Sequence, residues 1–286
     1  MVDAPPRDGL ILAATGARYN FMARRAALTV RRVMPDLTID LFTDTPELAA
    51  DGAAPFAQAH KLAATHARPK MEALARSRFD RTLYIDCDVM AVNPFPEIFD
   101  LLDSYDMAAA HEGFGSAPIS LMNTQQRPVA FRQINSGVIA LRKSDRMDGF
   151  LARYANLFAE RNARFDQPIL AELIHDTPEI RLAVLPQEYN LMYLPYMRHA
   201  VPGRHMAPRL LHLPWLHKGD QHLTPEDAPY DPALILNDPQ LAALRALTRK
   251  DVTLGGRRSL AHLAGDGLRR TPWLDRKVRA LRDWLA

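Results

Sequence analysis

Short apolar runs alternate with amphipathic stretches along most of the chain. A short apolar run predicts a buried strand, and apolar residues spaced three or four positions apart predict a helix. The predicted strands cover residues 10–14, 37–42, 56–62, 81–86, 105–110, 133–141, 182–185 and 209–213. The predicted helices cover residues 19–33, 69–77, 97–102, 144–161 and 166–174. This alternation of strand and helix favours an α/β fold with a mainly parallel sheet flanked by helices.

The segment from Leu83 to Met90 carries the most informative polar residues. Asp86 and Asp88 follow an apolar run at the end of a predicted strand. Because strand side chains alternate between faces, both carboxylates are expected to point one way and Cys87 the other. Two neighbouring carboxylates repel each other, and a Mg²⁺ or Mn²⁺ ion, which also binds phosphates, relieves that repulsion. Two solvated aspartates remain the alternative, because this pattern is short and common.

Polar residues recur where the predicted strands end. Thr15, Asp86, Asp88, His111 and Glu112 all lie at such positions. In an open α/β sheet, ligands bind outside the carboxyl ends of the strands. We therefore expect a site at this edge of the sheet.

Two short motifs have competing interpretations. Asn135-Ser136-Gly137 interrupts an apolar strand pattern, which indicates either a β-bulge or the close approach of a ligand to the Asn amide. Asp166-Gln167-Pro168 is a typical helix start, and capping is a sufficient explanation for the aspartate. Capping does not explain Gln167, whose amide is available to face a reacting centre.

Basic residues supply further candidates. His212 lies in an apolar strand pattern, and His217 and Lys218 follow it closely. A neutral imidazole can complete a metal site begun by two carboxylates, although a histidine buried in the core is the ordinary alternative. Lys218 and Lys70 can neutralise phosphate, and for Lys70 the alternative is a solvated surface lysine.

The order of these motifs resembles the GT-A glycosyltransferases, in particular family 8, which includes the glycogenin and bacterial lipopolysaccharide galactosyltransferase types. The resemblance spans about residues 9–220. The matching pieces are residues 10–15, residues 79–88, Asn93-Pro94, Asn135-Ser136-Gly137, Asp166-Gln167-Pro168, Gln187-Glu188-Tyr189-Asn190, and His212 with Lys218. The chain departs from the family pattern in the last motif. Trp215 stands where the family usually has Gly, and Gly219-Asp220 where it has Pro-Trp.

The resemblance implies a GT-A fold and a metal-dependent transfer of a sugar from a nucleotide-diphosphate donor, typically a UDP-sugar, to a glycan or lipid-linked acceptor. It implies that Asp86, Asp88 and His212 hold a Mn²⁺ or Mg²⁺ ion and that Lys218 contacts the phosphates. The residues implied around the base, ribose and donor sugar are Thr15, Tyr19, Lys70, Asn135, Asp166 and Gln167.

The resemblance also implies retention of the anomeric configuration, with Asp166 or Gln167 near the anomeric carbon. An inverting enzyme needs a base on the acceptor, for which Glu112 and Glu188 are candidates. A sugar-phosphate nucleotidyltransferase is the nearest chemical alternative, but residues 15–19 are a poor version of its glycine-rich loop. A catalytically silent protein that binds a sugar nucleotide is a further alternative.

A phosphatase of the haloacid-dehalogenase type normally carries its two aspartates on the first strand, with Thr two positions after the second. Here two predicted strands precede the pair, and Met90 occupies the Thr position. The pattern therefore argues against that class.

Charge is distributed unevenly between the body and the tail. Residues 241–286 contain eleven Lys or Arg and four Asp or Glu, a net charge of +7, whereas the preceding 240 residues have a net charge of −4. A negative body argues against nucleic-acid binding. We predict a catalytic domain over 1–230 and a basic helical extension over 231–286.

The tail and the N-terminus bear on localisation. Leu274, Val278, Leu281 and Leu285 form an apolar stripe with basic residues beside it. This indicates either a peripheral helix on the inner face of an anionic membrane or a helix packed on the body with a solvated basic face. The single cysteine excludes an intrachain disulfide, and the N-terminus lacks the order of a signal peptide, so we expect a cytoplasmic protein.

Overall fold

The computed structural model describes residues 8–49, 55–63, 68–114, 122, 127–218 and 228–256 of the 286 residues. The strands in these ranges are β1 (Asp8–Ala14), β2 (Thr38–Thr43), β3 (Gln58–Lys61), β4 (Arg81–Ile85), β5 (Val89–Ala91), β6 (Met107–His111), β7 (Ile134–Arg142), β8 (Leu182–Leu185) and β9 (Leu210–His212). The α-helices are α1 (Gly16–Val33), α2 (Lys70–Ala75), α3 (Glu97–Asp100), α4 (Asp145–Glu160), α5 (Gln167–His175), α6 (Tyr196–His199), α7 (Pro232–Ile235) and α8 (Asp238–Lys250). The predicted α/β class is confirmed.

Seven of these strands form the main sheet, in the order β3-β2-β1-β4-β7-β6-β8. Strand β7 runs antiparallel to its neighbours β4 and β6, and the other pairs are parallel. The predicted mainly parallel sheet is therefore confirmed. Leu10, Ile11 and Leu12 are fully buried, as expected for a strand covered on both faces, whose sequence is a continuous apolar run.

The start of α1 differs from its prediction. The helix begins at Gly16, whereas the sequence predicts a turn up to Arg18 and a helix from Tyr19. Gly16 has a φ of +77°, which glycine tolerates, and its N–H donates to Asp44 Oδ2 at 2.8 Å. The sequence pattern misses this start because Asp44, which satisfies that N–H, lies far along the chain after β2.

The chain divides into two compact units. One comprises residues 1–194 and 208–237, and the other comprises residues 195–207 and 238–286. In the second unit α6 packs against α8, and Asp251 accepts hydrogen bonds from the N–H groups of Ala207 and Thr253. The predicted amphipathic segment 273–285 lies outside the described residues. None of the described helices combines the length and the apolar character that crossing a bilayer requires.

Candidate functional site

The aspartate pair lies in a turn between β4 and β5. Asp86 N–H donates to Gly137 O at 2.8 Å, and Val89 N–H donates back to Asp86 O at 3.1 Å, which closes the turn. Ligand atoms of Asp86 and Asp88 converge and Cys87 points elsewhere, as predicted. The cause differs from the prediction, because the strand ends at Ile85 and the turn, not strand alternation, directs these side chains. Cys87 Sγ donates to Ala13 O at 3.4 Å, and burial raises the pKa of this thiol well above its usual range.

A second, two-stranded sheet brings His212 to the pair. Strand β5 pairs antiparallel with β9, so that Val89 lies opposite His212, and Leu213 N–H donates to Asp88 O at 3.0 Å. One ligand atom each from Asp86, Asp88 and His212 lie within 4.8 Å of one another. The three residues predicted to hold a metal ion thus meet at the carboxyl edge of the main sheet.

Gly137 allows this approach. A β-carbon at this position would lie 2.3 Å from His212 Cε1 and 3.0 Å from Asp86 Oδ2, so a side chain there would displace the imidazole. The register of β6 with β7 shifts between Ala109 and His111. This irregularity falls at the Asn135-Ser136-Gly137 motif, in agreement with its interpretation as a bulge or bend in the strand. The close neighbours of the glycine are a protein imidazole and a carboxylate.

A chain of amides fixes the tautomer of His212. The backbone N–H of Gly137 donates to Asn135 Oδ1 at 2.9 Å, so that oxygen is an acceptor. Asn190 Nδ2 donates to the same oxygen at 2.8 Å, and Asn190 Oδ1 lies 2.9 Å from His212 Nδ1. Since Asn190 Oδ1 can only accept, His212 Nδ1 carries the hydrogen, and a neutral His212 therefore has a lone pair on Nε2.

The electrostatics of the cluster favour a positive charge between His212 and Asp88. His212 Nε2 lies 3.4 Å from Asp88 Oδ1, and Oδ1 is buried with no hydrogen-bond partner among the described residues. Burial would raise the pKa of Asp88, but His212 and His217 hold it well below its usual range. Burial would lower the pKa of His212, but Asp88 raises it above its usual value. Two carboxylates and an available imidazole nitrogen are a set of ligands that can hold a divalent metal ion.

His217 also contacts Asp88, although the sequence alone assigns no role to this histidine. Its Nε2 lies 2.8 Å from Asp88 Oδ2, and its ring packs against that of Tyr19 at 5.5 Å between centroids. Tyr19 is 40% exposed. Tyr19, which is predicted to contact the nucleoside, therefore packs on His217, and His217 in turn contacts Asp88 of the candidate metal site.

Lys70 is buried, with 3% exposure, so the interpretation as a solvated surface lysine is wrong. Its Nζ donates to Ser136 O at 3.0 Å and lies 3.4 Å from Asp86 Oδ1 and 3.1 Å from Asp166 Oδ2. Burial would lower the pKa of Lys70, but Asp166 and Asp86 outweigh burial and raise it. Periodicity alone did not reveal this burial, because the anions around Lys70 come from the turn after β4 and from the residue that precedes α5.

Asp166 precedes α5, but its side chain makes no capping hydrogen bond, so the capping explanation is wrong. Its carboxylate instead contacts Lys70, the guanidinium of Arg68 at 3.5 Å and the hydroxyl of Tyr154 at 3.1 Å. Burial would raise the pKa of Asp166, but Lys70 and Arg68 lower it to about 2. Asp166 therefore carries a negative charge next to Lys70 at neutral pH.

The amides of Asn135 and Gln167 converge on one carboxylate. Asn135 Nδ2 and Gln167 Nε2 donate to Glu112 Oε2 at 2.9 and 2.8 Å, and Phe114 N–H donates to Glu112 Oε1 at 3.3 Å. Gln167 Oε1 accepts the N–H of Ser136 at 3.2 Å. These amides therefore hold a buried carboxylate at the strand ends, beside the metal cluster.

Two further predicted residues lie at the margin of this cluster. Thr15 is half-buried where β1 ends, and Lys218 is exposed one residue after His217. Within the described ranges, no hydrogen bond joins either side chain to Asp86, Asp88 or His212. Both residues are predicted to contact the nucleotide-sugar donor, so these two roles stay predictions.

Comparison with known proteins identifies the fold. No protein-family model and no curated protein matches this sequence. The glycosyltransferase GlyE of Streptococcus pneumoniae TIGR4 is 19% identical, with a TM-score of 0.54 over 73% of this chain, which spans 54% of the GlyE chain. The galactosyltransferase LgtC, solved with donor and acceptor sugar analogues, is 15% identical, with a TM-score of 0.50 over 72% of this chain and 86% of its own. This chain therefore has the GT-A glycosyltransferase fold that its sequence predicts.

Proposed function

We propose that this chain is a metal-dependent glycosyltransferase that moves a sugar from a nucleotide-diphosphate donor, a UDP-sugar, to a glycan or lipid-linked acceptor. The observation that carries the proposal is the cluster of Asp86, Asp88 and His212 at the carboxyl edge of the sheet. In that cluster the fixed tautomer of His212 and Oδ1 of Asp88, which has no hydrogen-bond partner among the described residues, are suited to an ion. Ligands of α/β proteins bind at this edge.

A Mn²⁺ or Mg²⁺ ion held by these three residues would neutralise the negative charge that develops on the leaving diphosphate. Lys218, exposed beside His217, would add a second positive charge on the phosphates. At an effective dielectric of about 20, one such contact over a few ångströms is worth on the order of 4 kcal/mol before desolvation costs. The charges act more strongly on the transition state than on the bound donor, as catalysis requires.

The roles of the remaining residues follow from their surroundings. Thr15, where β1 ends, and Tyr19, in the first turn of α1, would contact the base and ribose. Lys70 is buried between Asp86 and Asp166. It would keep both carboxylates in place and offset part of their negative charge towards the diphosphate of the donor. Asn135 would contribute to the donor-sugar pocket.

We propose transfer with retention, with Gln167 or Asp166 near the anomeric carbon. Both oxygens of Glu112 already accept N–H donors, which suits a carboxylate that orders the pocket better than one that takes a proton from an acceptor. Glu188 remains the other candidate base if the enzyme inverts.

The acceptor and location are proposals of the same kind. A lipid-linked or polysaccharide acceptor of the cell envelope would be reached from the cytoplasm, and the basic extension over 231–286 would provide peripheral contact with the inner membrane face. Co-sedimentation of the full chain and of residues 1–265 with anionic liposomes tests this contact. Equal binding of the two proteins would exclude a role for the last residues.

Calorimetric titration with UDP, with and without Mn²⁺, tests the central proposal. We expect UDP binding that depends on Mn²⁺ and that Asp88→Asn and His212→Ala abolish. If both variants keep metal-dependent binding, the proposed site is wrong.

Incubation with a panel of sugar nucleotides separates the alternatives. A transferase releases UDP, and NMR of the released sugar distinguishes retention from inversion. A silent binding protein binds UDP with Mn²⁺ but releases nothing. A nucleotidyltransferase, acting in reverse, instead consumes added pyrophosphate and converts the sugar nucleotide to a nucleoside triphosphate and a sugar 1-phosphate.

A further inference from the structure

His217 contacts the metal cluster from a segment outside both sheets. It lies in the 3-10 helix Pro214–Lys218 that follows β9. Its Nε2 is 2.8 Å from Asp88 Oδ2, and its side chain is 37% exposed, whereas that of Asp88 is 3% exposed. Because an ionised carboxylate only accepts, His217 Nε2 carries the hydrogen and donates it.

The two oxygens of Asp88 therefore have different surroundings. Oδ2 accepts the hydrogen bond from His217, whereas Oδ1 faces His212 Nε2 at 3.4 Å and has no hydrogen-bond partner among the described residues. We infer that His217 is a positioning residue of the metal site, which holds Asp88 by Oδ2 so that Oδ1 stays directed towards the ion. This inference rests on the proposed function, because it assigns a residue to the same site.

The contacts of His217 argue against direct coordination. While Nε2 donates to Asp88, it has no lone pair to offer an ion. Among the described residues, the ligand atoms that lie within 4.8 Å of one another come from Asp86, Asp88 and His212, and His217 is not among them. An outer residue that orients a ligand fits this geometry.

Packing alone does not explain a histidine at this position. The second ring nitrogen, Nδ1, is buried with no hydrogen-bond partner in the described part of the chain, which is unfavourable for a polar atom. The ring of Tyr19 packs on the imidazole with an interplanar angle of 54°. Tyr19 restricts the ring on one side and Asp88 holds it on the other, so the hydrogen bond to Asp88 has a defined direction.

Titration of the full-length protein with MnCl₂ alone, followed by calorimetry, tests the role of His217. We expect His217→Ala to weaken Mn²⁺ binding about 10- to 100-fold, the usual effect of losing an outer residue that orients a ligand. His217→Gln should restore most of the affinity, because its amide N–H can donate to Asp88 Oδ2. His199→Ala, which removes an exposed histidine of α6, is the matched control and should bind as the native protein does.

A further variant separates donation from packing. His217→Met keeps an apolar side chain of similar size but cannot donate a hydrogen bond, so it should bind Mn²⁺ as weakly as His217→Ala. If His217→Ala does not fold, the Mn²⁺ affinity of His217→Met tests the inference in its place. Native affinity in His217→Met would overturn the inference, as would weak binding in His217→Gln with an unchanged melting temperature.

Pulsed EPR of bound Mn²⁺ counts the coordinated nitrogens. We expect one directly bound imidazole nitrogen in the native protein and the same number in His217→Gln. Two nitrogens in the native protein would make His217 a ligand and overturn the positioning role. If the native protein does not bind Mn²⁺ at all, the proposed function fails, whereas native binding that His217→Met retains overturns only the role of His217.

Discussion

The two edges of the main sheet use similar charged residues in different ways. At the amino edge, Arg81 pairs with Asp8 and Asp103, and Arg142 pairs with Asp106. At the carboxyl edge, Asp88 has an oxygen without a hydrogen-bond partner. The amino edge therefore satisfies its charges within the protein, whereas the carboxyl edge has acceptor capacity available for a cation.

The two edges also differ in the burial of their cations. The side chain of Arg142 is 37% exposed, whereas that of Lys70 is 4% exposed between two carboxylates. A partly exposed pair gains little because water screens it, and a buried pair is costly to break because one charge is left unpaired. Burial therefore makes the cation of the carboxyl edge more important for stability than that of the amino edge.

Removal of each cation gives the largest expected difference between the edges. Lys70→Met leaves Asp86 and Asp166 close together without their shared partner, and we expect it to lower the free energy of unfolding by about 3–5 kcal/mol. Arg142→Met, the matched change at the amino edge, should cost about 1 kcal/mol or less. Urea unfolding followed by circular dichroism measures both. Equal losses would show that burial does not separate the two edges.

Removal of a carboxylate separates binding from stability. We expect Asp88→Asn to weaken Mn²⁺ binding by more than about 100-fold, beyond the effect of changing an outer residue. Asp103→Asn, the matched change at the amino edge, should bind Mn²⁺ with native affinity, because Asp103 pairs with Arg81 and lies at the opposite edge. Calorimetry with MnCl₂ measures both, and weakened binding in Asp103→Asn would contradict the distinction between the edges.

The tautomer of His212 gives a smaller effect. Asn190→Ala removes the acceptor that holds hydrogen on His212 Nδ1, so the lone pair is no longer confined to Nε2. We expect Mn²⁺ affinity to fall about 10- to 100-fold. Exposed His199→Ala serves again as the control, and native affinity in Asn190→Ala would exclude control of the tautomer by this amide chain.

The smallest effect is the pH dependence of stability. Because the folded-state pKa of Asp166 is lowered to about 2 from 3.8, its stabilisation is present above the unfolded-state value and is lost as the pH falls. We expect Asp166 to account for about 1 kcal/mol of the loss in unfolding free energy between pH 6 and pH 3. Urea unfolding of the native protein and of Asp166→Asn at both pH values measures this share. A loss that is equal in the two proteins would mean that the pKa of Asp166 is not lowered.

Prediction from the sequence worked best where the pattern is local. The apolar runs of β1, β4 and β7 were predicted, as was a helix from residue 144, where the Ser144 side chain accepts Met147 N–H and caps α4. Strand β5 was not predicted, because it is three residues long and is stabilised by pairing with β9. The convergence of Asp86 and Asp88 was predicted but its cause was not, since a closed turn, and not strand alternation, directs the two carboxylates.

The sequence predicted which residues form the site better than it predicted the contacts between them. Asp86, Asp88 and His212 were identified from motifs, but the burial of Lys70 and the contacts of Asp166 were not. His217 was visible as a second histidine near Lys218, without a role. Its role depends on the fold of the 3-10 helix against Asp88, which no spacing along the chain indicates.

The sequence by itself determined the α/β class, the mainly parallel sheet and the residues that meet as a metal cluster, because apolar periodicity and short motifs are local properties of the chain. The tertiary structure alone decided which nitrogen of His212 carries the hydrogen, which oxygen of Asp88 lacks a hydrogen bond among the described residues, and why Gly137 has no side chain. These depend on pairing between segments far apart in sequence, such as β5 with β9. Hydrogen bonds and steric exclusion act over a few ångströms, so they are fixed only once those segments are in contact.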